Sequence, residues 1–531
     1  MNPTYQLLSI NVVKEVNRIP YARLVLIDGD AAEQKFEISN DAFFAPGKEL
    51  EIKLGYEGDP QSEVTVFKGV VVGHGVEADA QGSWLTIEVK DQSVRLTLAR
   101  RSAIYRDKTD DRVIGDIISN GGLAKGRTTA TRPAHQELVQ YYATDWDFML
   151  LRADANGLLL VADDGTISLA EVSLGATPKR VFEYGMDEIY GFEIEAAGGE
   201  QFTTVDSIAW DAKKLQLSRA ARGKEFNLAQ GNLKGGDIAS LMGSNPNVQN
   251  SMVPVSPEEL QAWSDATVMR NRLALIRGRV QVEGIGDIKP LDIIEIAGIG
   301  DRFNGKALVT GVAHHVDGNG WSTEVQFGLA ADGLAQRRDI ADAPAAGLLP
   351  AVNGLQIGIV DSFEDDPDKE LRVRVNLPAF DQQKIWARLA SPDAGVGRGY
   401  FFRPEAGDEV VVGFFNDDPR QAVVIGALYS SRNGPPDAFR QLTRDNIDKG
   451  IVTRTGSTIR FVDNSRSAIV IETPRANKVT LDDDAATIEI ADQHGNVVTM
   501  SRDGVEIKSV KDLKIDASGN VEIKGAKIDL K

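Results

Sequence analysis

Residues 497–531 read VVTMSRDGVEIKSVKDLKIDASGNVEIKGAKIDLK, and Val497, Val505, Leu513 and Val521 fall eight residues apart. In the last three units the residue two places on is also apolar: Ile507, Ile515 and Ile523. Each octad reads as a short strand plus a turn, with Gly504, Gly519 and Gly525 at or near the bends. Two or three apolar side chains per unit are too few for one chain to enclose a core. Copies wound together would share the burial, at about 25 cal/mol per Å² of apolar area. The segment therefore predicts an obligate oligomer, with Val497, Val505, Ile507, Leu513, Ile515, Val521 and Ile523 as its shared core and subunit interface.

Upstream of this stretch the chain is long enough for several domains. Its 531 residues exceed the size at which a single core stops growing. With 42% hydrophobic and 26% charged residues the balance is globular, and 51 glycines and 20 prolines imply many turns. A net charge of −19 offers no general attraction to nucleic acid or anionic lipid. The absence of cysteine removes disulfides, thiol nucleophiles and thiolate metal sites together. The first twenty residues have no basic head followed by an apolar run, and no stretch has the length of an apolar membrane span. The expectation is synthesis in the cytoplasm without a signal peptide.

Segment 1–100 alternates as strands at 21–27, 50–54, 64–72 and 85–89. Val113, Ile114, Ile117 and Ile118 recur at helical spacing, stopped by Gly121 and Gly122, and a second helix runs from Asp145 behind Thr144 to Asn156-Gly157. Alternation returns at 158–217. The stretch 231–257 reads as a long loop, followed by a helix at 257–275. An internal echo matches Pro46 to Gly55, Gly73 and Trp84 to Val89 with Pro290 to Gly298, Gly311 and Trp321 to Val325, as two related β-barrels would. The domain plan is thus a two-barrel region over 1–340, a linker over 341–352, a domain over 353–432, a connector over 433–452 and a strand-repeat segment over 453–531. Five short strand runs over 355–429, with no long helix, suit a closed OB-fold barrel.

That barrel segment carries a specific ordered pattern. Gly358-Ile-Val360, Asp366-Pro-Asp368, Leu371-Arg-Val-Arg-Val375, Trp386-Ala-Arg-Leu-Ala-Ser-Pro392, Phe401-Phe402-Arg-Pro404-Glu405, Gly407-Asp-Glu-Val410, Asn416-Asp-Asp-Pro419 and Ile425-Gly426 resemble the OB domain of VgrG proteins and phage baseplate spikes. Val66-Phe67-Lys-Gly69, Thr109-Asp110-Asp-Arg-Val113-Ile114 and Thr144-Asp145-Trp-Asp147-Phe148 look like the hub of the same family. The resemblance covers essentially the whole chain.

It implies a mainly β chain with two hub β-barrels bearing α+β insertions, an OB-fold barrel and a C-terminal intertwined triple-stranded β-helix. It also implies a homotrimer whose six pseudo-equivalent hub units join a threefold spike to a sixfold inner tube. The function so implied is the central spike of a contractile injection system, piercing the target envelope mechanically. The partners implied are copies of itself, inner-tube and hub baseplate proteins, a PAAR-type tip protein docking on Ile528, Leu530 and Lys531, and effector cargo. Nucleic acid is not among them, and a target membrane is met only in transient puncture. Such a spike belongs to an assembled particle, released extracellularly or injected into the target. Length and missing extensions lean towards extracellular phage-tail-like systems over type VI secretion.

No enzyme is read from the residues, and no cofactor or metal. About twenty residues separate Tyr429 from Ile451, too few for a lysozyme insertion. His314 and His315 are adjacent, so on a strand they point to opposite faces and cannot share one ion. His74 sits near the equivalent hairpin of the first half, which favours a shared structural role; His135 and His494 lack ligand-type neighbours at useful spacing. Asp482-Asp-Asp484 and Glu364-Asp-Asp366 read as solvated turns rather than calcium loops, and Gly395 to Gly399 as a loop between barrel strands. The competing class is a secreted β-helical adhesin or a cell-wall-degrading enzyme. A stable monomer would favour it.

Overall fold

Strand alternation at the N-terminus is strict: in Tyr21–Ile27 the side chains of Ala22, Leu24 and Leu26 are buried while those between them are not. One face therefore packs inward and the other stays wet. The structure, a computed structural model, describes residues 4–211, 214–243, 246–251, 253–334, 344–348, 350–380, 383–441, 444–465 and 467–530. The chain divides into two units, 1–342 and 343–531. Of the expected linker, residues 341–343 and 349 lie outside the described residues.

In the first unit, β1 (Leu7–Glu15), β2 (Tyr21–Ile27), β3 (Glu49–Tyr56), β4 (Asp59–Asp79) and β5 (Gly82–Lys90) hydrogen-bond in the order β1-β2-β5-β4-β3. Then β6 (Ile189–Ala196), β7 (Ile276–Glu283), β8 (Ile293–Ala297), β9 (Gly305–Asp317) and β10 (Gly320–Phe327) repeat the order as β6-β7-β10-β9-β8. All of these pairs are antiparallel. The internal echo is therefore a duplicated topology. The register sharpens it: Val89 lies opposite Ala22 and Val71, and Val325 opposite Val280 and Val312.

Two separate barrels are not confirmed: among the described residues neither set closes on itself. β1 pairs with β9, so the two repeats lie edge to edge in one eleven-stranded sheet, with Arg180–Glu183 added on β8. Each repeat nevertheless keeps its own core, around Leu24, Phe67 and Ile87 in the first and around Val280, Ile294 and Phe327 in the second.

Two insertions interrupt the repeats. The first holds α1 (Asp110–Asn120) and α2 (Asp145–Ala155) over a three-stranded sheet, packed through Ile114, Ile117, Met149, Leu160 and Ile167. Thr144 caps α2 by accepting from the Asp147 N–H at 3.1 Å. Gly157 ends it at φ +66°, where a Cβ would lie 3.2 Å from the Ala266 backbone, so only glycine lets the next helix approach. That helix, α3 (Pro257–Leu273), begins with Ser256 accepting from the Glu259 N–H and Pro257 in its first turn. The stretch 231–257 is more ordered than its composition implies, holding a short helix, Gly235–Leu241, and a strand, Asn247–Ser251, parallel to Val205–Asp211. That strand is held by polar side chains: Gln249 joins the hydroxyls of Ser207 and Thr267, which hides it from a hydrophobic pattern.

In the second unit β11 (Gln356–Ser362), β12 (Val373–Leu377), β13 (Gln383–Leu389), β14 (Glu409–Phe414) and β15 (Ala422–Ala427) form a closed barrel in the order β11-β12-β13-β15-β14. Its interior is mostly valine: Val360, Val373, Val375, Val410, Val412 and Val424. Outside, Arg372 and Arg374 lie over the Trp386 ring. Seven five-residue strands follow as an antiparallel meander: β16 (Asp448–Val452), β17 (Thr458–Val462), β18 (Ala468–Glu472), β19 (Lys478–Asp482), β20 (Thr487–Ala491), β21 (Val497–Ser501) and β22 (Gly504–Lys508). The first four start ten residues apart, not eight, and no described residue after Lys508 is in a strand.

Candidate functional site

The C-terminal meander is a single layer whose two faces differ. On one, Ile451 faces Ile459, Ile459 faces Ile471, and Phe461 faces Ile469. The ladder continues through Ile471 with Val479, Ile469 with Leu481, Val479 with Ile490, and Leu481 with Ile488. It runs on through Ile488 with Met500, Ile490 with Val498, Val498 with Ile507, and Met500 with Val505. The central column of the other face is Arg460, Val470, Thr480, Glu489, Thr499 and Glu506. There Arg460 pairs with Asp448 at 2.6 Å.

Every Ile, Leu, Phe and Met of the seven strands is thus on one face. With Val505 they make eleven side chains, from Ile451 to Ile507, that stand between 37% and 67% exposed. Covering what remains of each would contribute roughly half of the ~1.5–3 kcal/mol for full burial, so about 8–16 kcal/mol per chain. That is comparable with the whole ~4–15 kcal/mol cost of association, counted once per binding step. An exposed apolar face of this extent is the kind that marks an interaction surface.

The turns along one edge are stacked by side chains. The Asn477 carbonyl accepts from the Gln493 N–H at 3.3 Å, and the Asn496 carbonyl accepts from the Val510 N–H at 2.8 Å. The Asp492 carboxylate accepts from the His494 and Asn496 N–H groups, which holds it below the usual carboxylate range, with the Asn496 side chain the largest cause. Asparagine at these turns fixes the strand step, a role that hydrophobic periodicity does not reveal.

The residues read from the octads divide here. Val505 and Ile507 lie on the apolar face. Val497 lies on the opposite face, between Ala491 and Lys508, and Val498 takes the apolar position. Leu513, Ile515, Val521 and Ile523 are 54–67% exposed in a segment where, among the described residues, 513–530 makes no backbone hydrogen bond. Ile528 and Leu530 are exposed in the same segment, and Lys531 lies outside the described residues.

Sites for chemistry are few. Among the described residues no group of three His, Asp or Glu side chains is arranged to hold a metal ion. His314 is buried, with Nδ1 3.0 Å from the Thr323 hydroxyl, and burial, then Lys14 and His315, push its pKa down to about 4. His74 occupies the matching place in the first repeat, opposite Ile87 where His314 is opposite Thr323, and bonds Ser39 and the Phe44 carbonyl. His135 lies 3.2 Å from Asp110, whose carboxylate takes a two-toothed ion pair from Arg152 and a bond from Asn156. Burial pushes Asp110 up, but these donors hold it below the usual carboxylate range. The cluster ties α1 to α2 and, through Glu259, to α3. Asp366 is closed off by Arg372 and three backbone N–H groups.

Three families match successive parts of the chain. Residues 1–318 match the Alg8 N-terminal domain, 356–429 the type VI secretion system/phage-baseplate injector OB domain, and 468–531 the phage baseplate V C-terminal trimerisation domain. The type VI secretion system spike protein VgrG2a of Pseudomonas aeruginosa is 29% identical over 182 residues, 32% of this chain and 19% of that protein. The spike protein VgrG3 of Vibrio cholerae is 31% identical over 99 residues, 17% of this chain and 10% of that protein. The chain thus spans less than a fifth of the length of these relatives. Among solved structures, a tail protein from Neisseria meningitidis aligns with a TM-score of 0.45 and 13% identity over 62% of this chain and 94% of its own. An E. coli component of the type VI secretion system aligns with a TM-score of 0.40 and 14% identity over 81% and 98%. No described helix is long and apolar enough to cross a membrane.

Proposed function

We propose that this chain, which belongs to the Alg8 N-terminal domain family and matches the injector OB domain and the baseplate trimerisation domain further on, is the homotrimeric central spike of a contractile injection system. One observation carries the reading: the seven-stranded sheet at 448–508 exposes a continuous apolar face that a single chain leaves uncovered. Three copies, apolar faces inward, would make a closed prism with polar outer faces. Beyond Lys508, the unpaired 513–530 segments of three chains would supply one another's strand partners, giving the intertwined part of the needle. A shaft with continuous ladders and no free edge is stiff, which suits mechanical piercing without catalysis.

The hub would meet the inner tube, and the needle end would carry a separate PAAR-type tip on Ile528, Leu530 and Lys531. Equal incorporation of such a tip by the full chain and by a variant truncated before Ile523 would count against that docking. Mass in solution tests the central claim. Three times 57.5 kDa is expected, and a stable monomer would overturn it. Electron microscopy should then show a needle below a three-lobed base. An adhesin or wall-degrading enzyme is the less favoured reading, and purified protein should not clear cell walls.

A further inference from the structure

The apolar pattern of 505–524 does not by itself set how copies of the chain line up. Val505, Leu513 and Val521 share one position of the repeat, and Ile507, Ile515 and Ile523 share another. A copy displaced by one whole octad therefore buries an equivalent set. The charged residues between them do not repeat every eight. Octad one carries Glu506 then Lys508, octad two Lys514 then Asp516, and octad three Glu522 then Lys524. Their order of sign inverts at each step, so the charge pattern has twice the period of the apolar one.

The structure puts these charges on the polar side. In β22, Val505 and Ile507 lie on the apolar face, while Glu506, opposite Thr499, and Lys508, opposite Val497, lie on the other. Further on, Lys514 and Asp516 approach to 3.9 Å and Lys524 pairs with Glu522, each partner two residues from the other and more than two-thirds exposed. Alternation of sign begins where pairing within the chain ends. The outer column of the meander, from Arg460 through Val470, Thr480, Glu489 and Thr499, shows none. Among the described residues β22 pairs with β21 alone, and 513–530 makes no backbone hydrogen bond.

We propose that Glu506, Lys508, Lys514, Asp516, Glu522 and Lys524 form a charge ladder between copies that fixes the register of the needle. Three identical chains running the same way about one axis hold equal octads at equal height. The strand that a second copy lays along octad one is then its octad two, parallel to it. Apolar positions meet apolar ones, Lys514 lies between Glu506 and Glu522, and Asp516 lies between Lys508 and Lys524. Every charged neighbour is of opposite sign, the arrangement that stabilises a strand pair. A slip of one octad sets Glu506 beside Glu522 and Lys508 beside Lys524, so the ladder opposes the error that apolar burial tolerates. The proposal rests on the trimer reading and deepens it. A chain that folded octad two back on its own octad one would keep Glu506 beside Lys514 but bring Lys508 to Asp512.

The test is the protein concentration at which half of the full-length chain is trimeric in a fixed concentration of urea, read by sedimentation velocity. Urea is uncharged and leaves ionic contacts unscreened. Lys514→Glu/Asp516→Lys gives all three octads the same order of sign at unchanged net charge. That concentration should rise about tenfold or more, and the difference should shrink in roughly 1 M salt. Adding Glu506→Lys, Lys508→Glu, Glu522→Lys and Lys524→Glu restores alternation and should return the wild-type value. Asp516→Lys should weaken the trimer, whereas Asp512→Lys, the same change of charge, should not. A middle-octad reversal that matches the wild type, a complete reversal that does not recover, or weakening by Asp512→Lys and not by Asp516→Lys overturns the ladder while the trimer reading stands. A monomeric wild-type chain without urea overturns both.

Discussion

Ile490 is the position where the needle reading can be pushed hardest. Its side chain sits between Val479 and Val498 on the apolar face and is 49% exposed in one chain. Replacing it in Ile490→Asp forfeits about half of the ~1.5–3 kcal/mol for full burial in each copy, so roughly 2–4 kcal/mol per trimer. The larger effect is desolvation. Three carboxylates facing one another without partners each cost several kcal/mol. Together the trimer should lose about 10 kcal/mol or more, roughly seven orders of magnitude in its association equilibrium at ~1.4 kcal/mol per decade. The isolated sheet loses little, because the carboxylate reaches water there.

Sedimentation velocity at neutral pH should therefore find Ile490→Asp monomeric, with hub melting unchanged. The carboxyl pKa is raised in the assembly, so the trimer should return as pH falls through that raised value and the charge is removed. Thr499→Asp places the same charge on the opposite face and should stay trimeric. An Ile490→Asp variant sedimenting with the wild type at neutral pH would refute the inward orientation of this face.

Other expectations concern single contacts. His314 titrates at about 4 when folded against an ordinary 6.5, so the unfolded chain binds the extra proton; its contribution is intact above 6.5 and falls by roughly 3 kcal/mol towards pH 4. His314→Leu should flatten that part of the thermal-melt pH profile of the hub. Asp110→Ala strips Arg152 of its two-toothed partner in a buried site and should cost ~3–5 kcal/mol, read as a lower denaturation midpoint with an unchanged slope. Asn496→Ala removes the bond to the Val510 N–H and should cost ~0.5–1.5 kcal/mol. Hydrogen exchange there should quicken while the barrel at 356–427 stays protected.

What could be read before folding depended on how local each signal was. The barrel strands, the cap at Thr144 and the stops at Gly121 and Gly157 are written within a few residues, and each appears where its neighbours dictate. Asn247–Ser251 was invisible because it is held by Gln249 bonding Ser207 and Thr267, far away along the chain. The two repeats were legible as an echo, but whether their edges closed separately or joined was not.

Sequence alone settled that the last part of the chain has strand-forming residues and too little apolar surface for a private core, since composition and spacing suffice for that. Only the fold decided which side those residues face. A strand's side chains alternate with a period of two, so a slip of one residue exchanges Val497 for Val498 at the apolar face. Pairing between strands, at β1 with β9 and along 448–508, sets that choice.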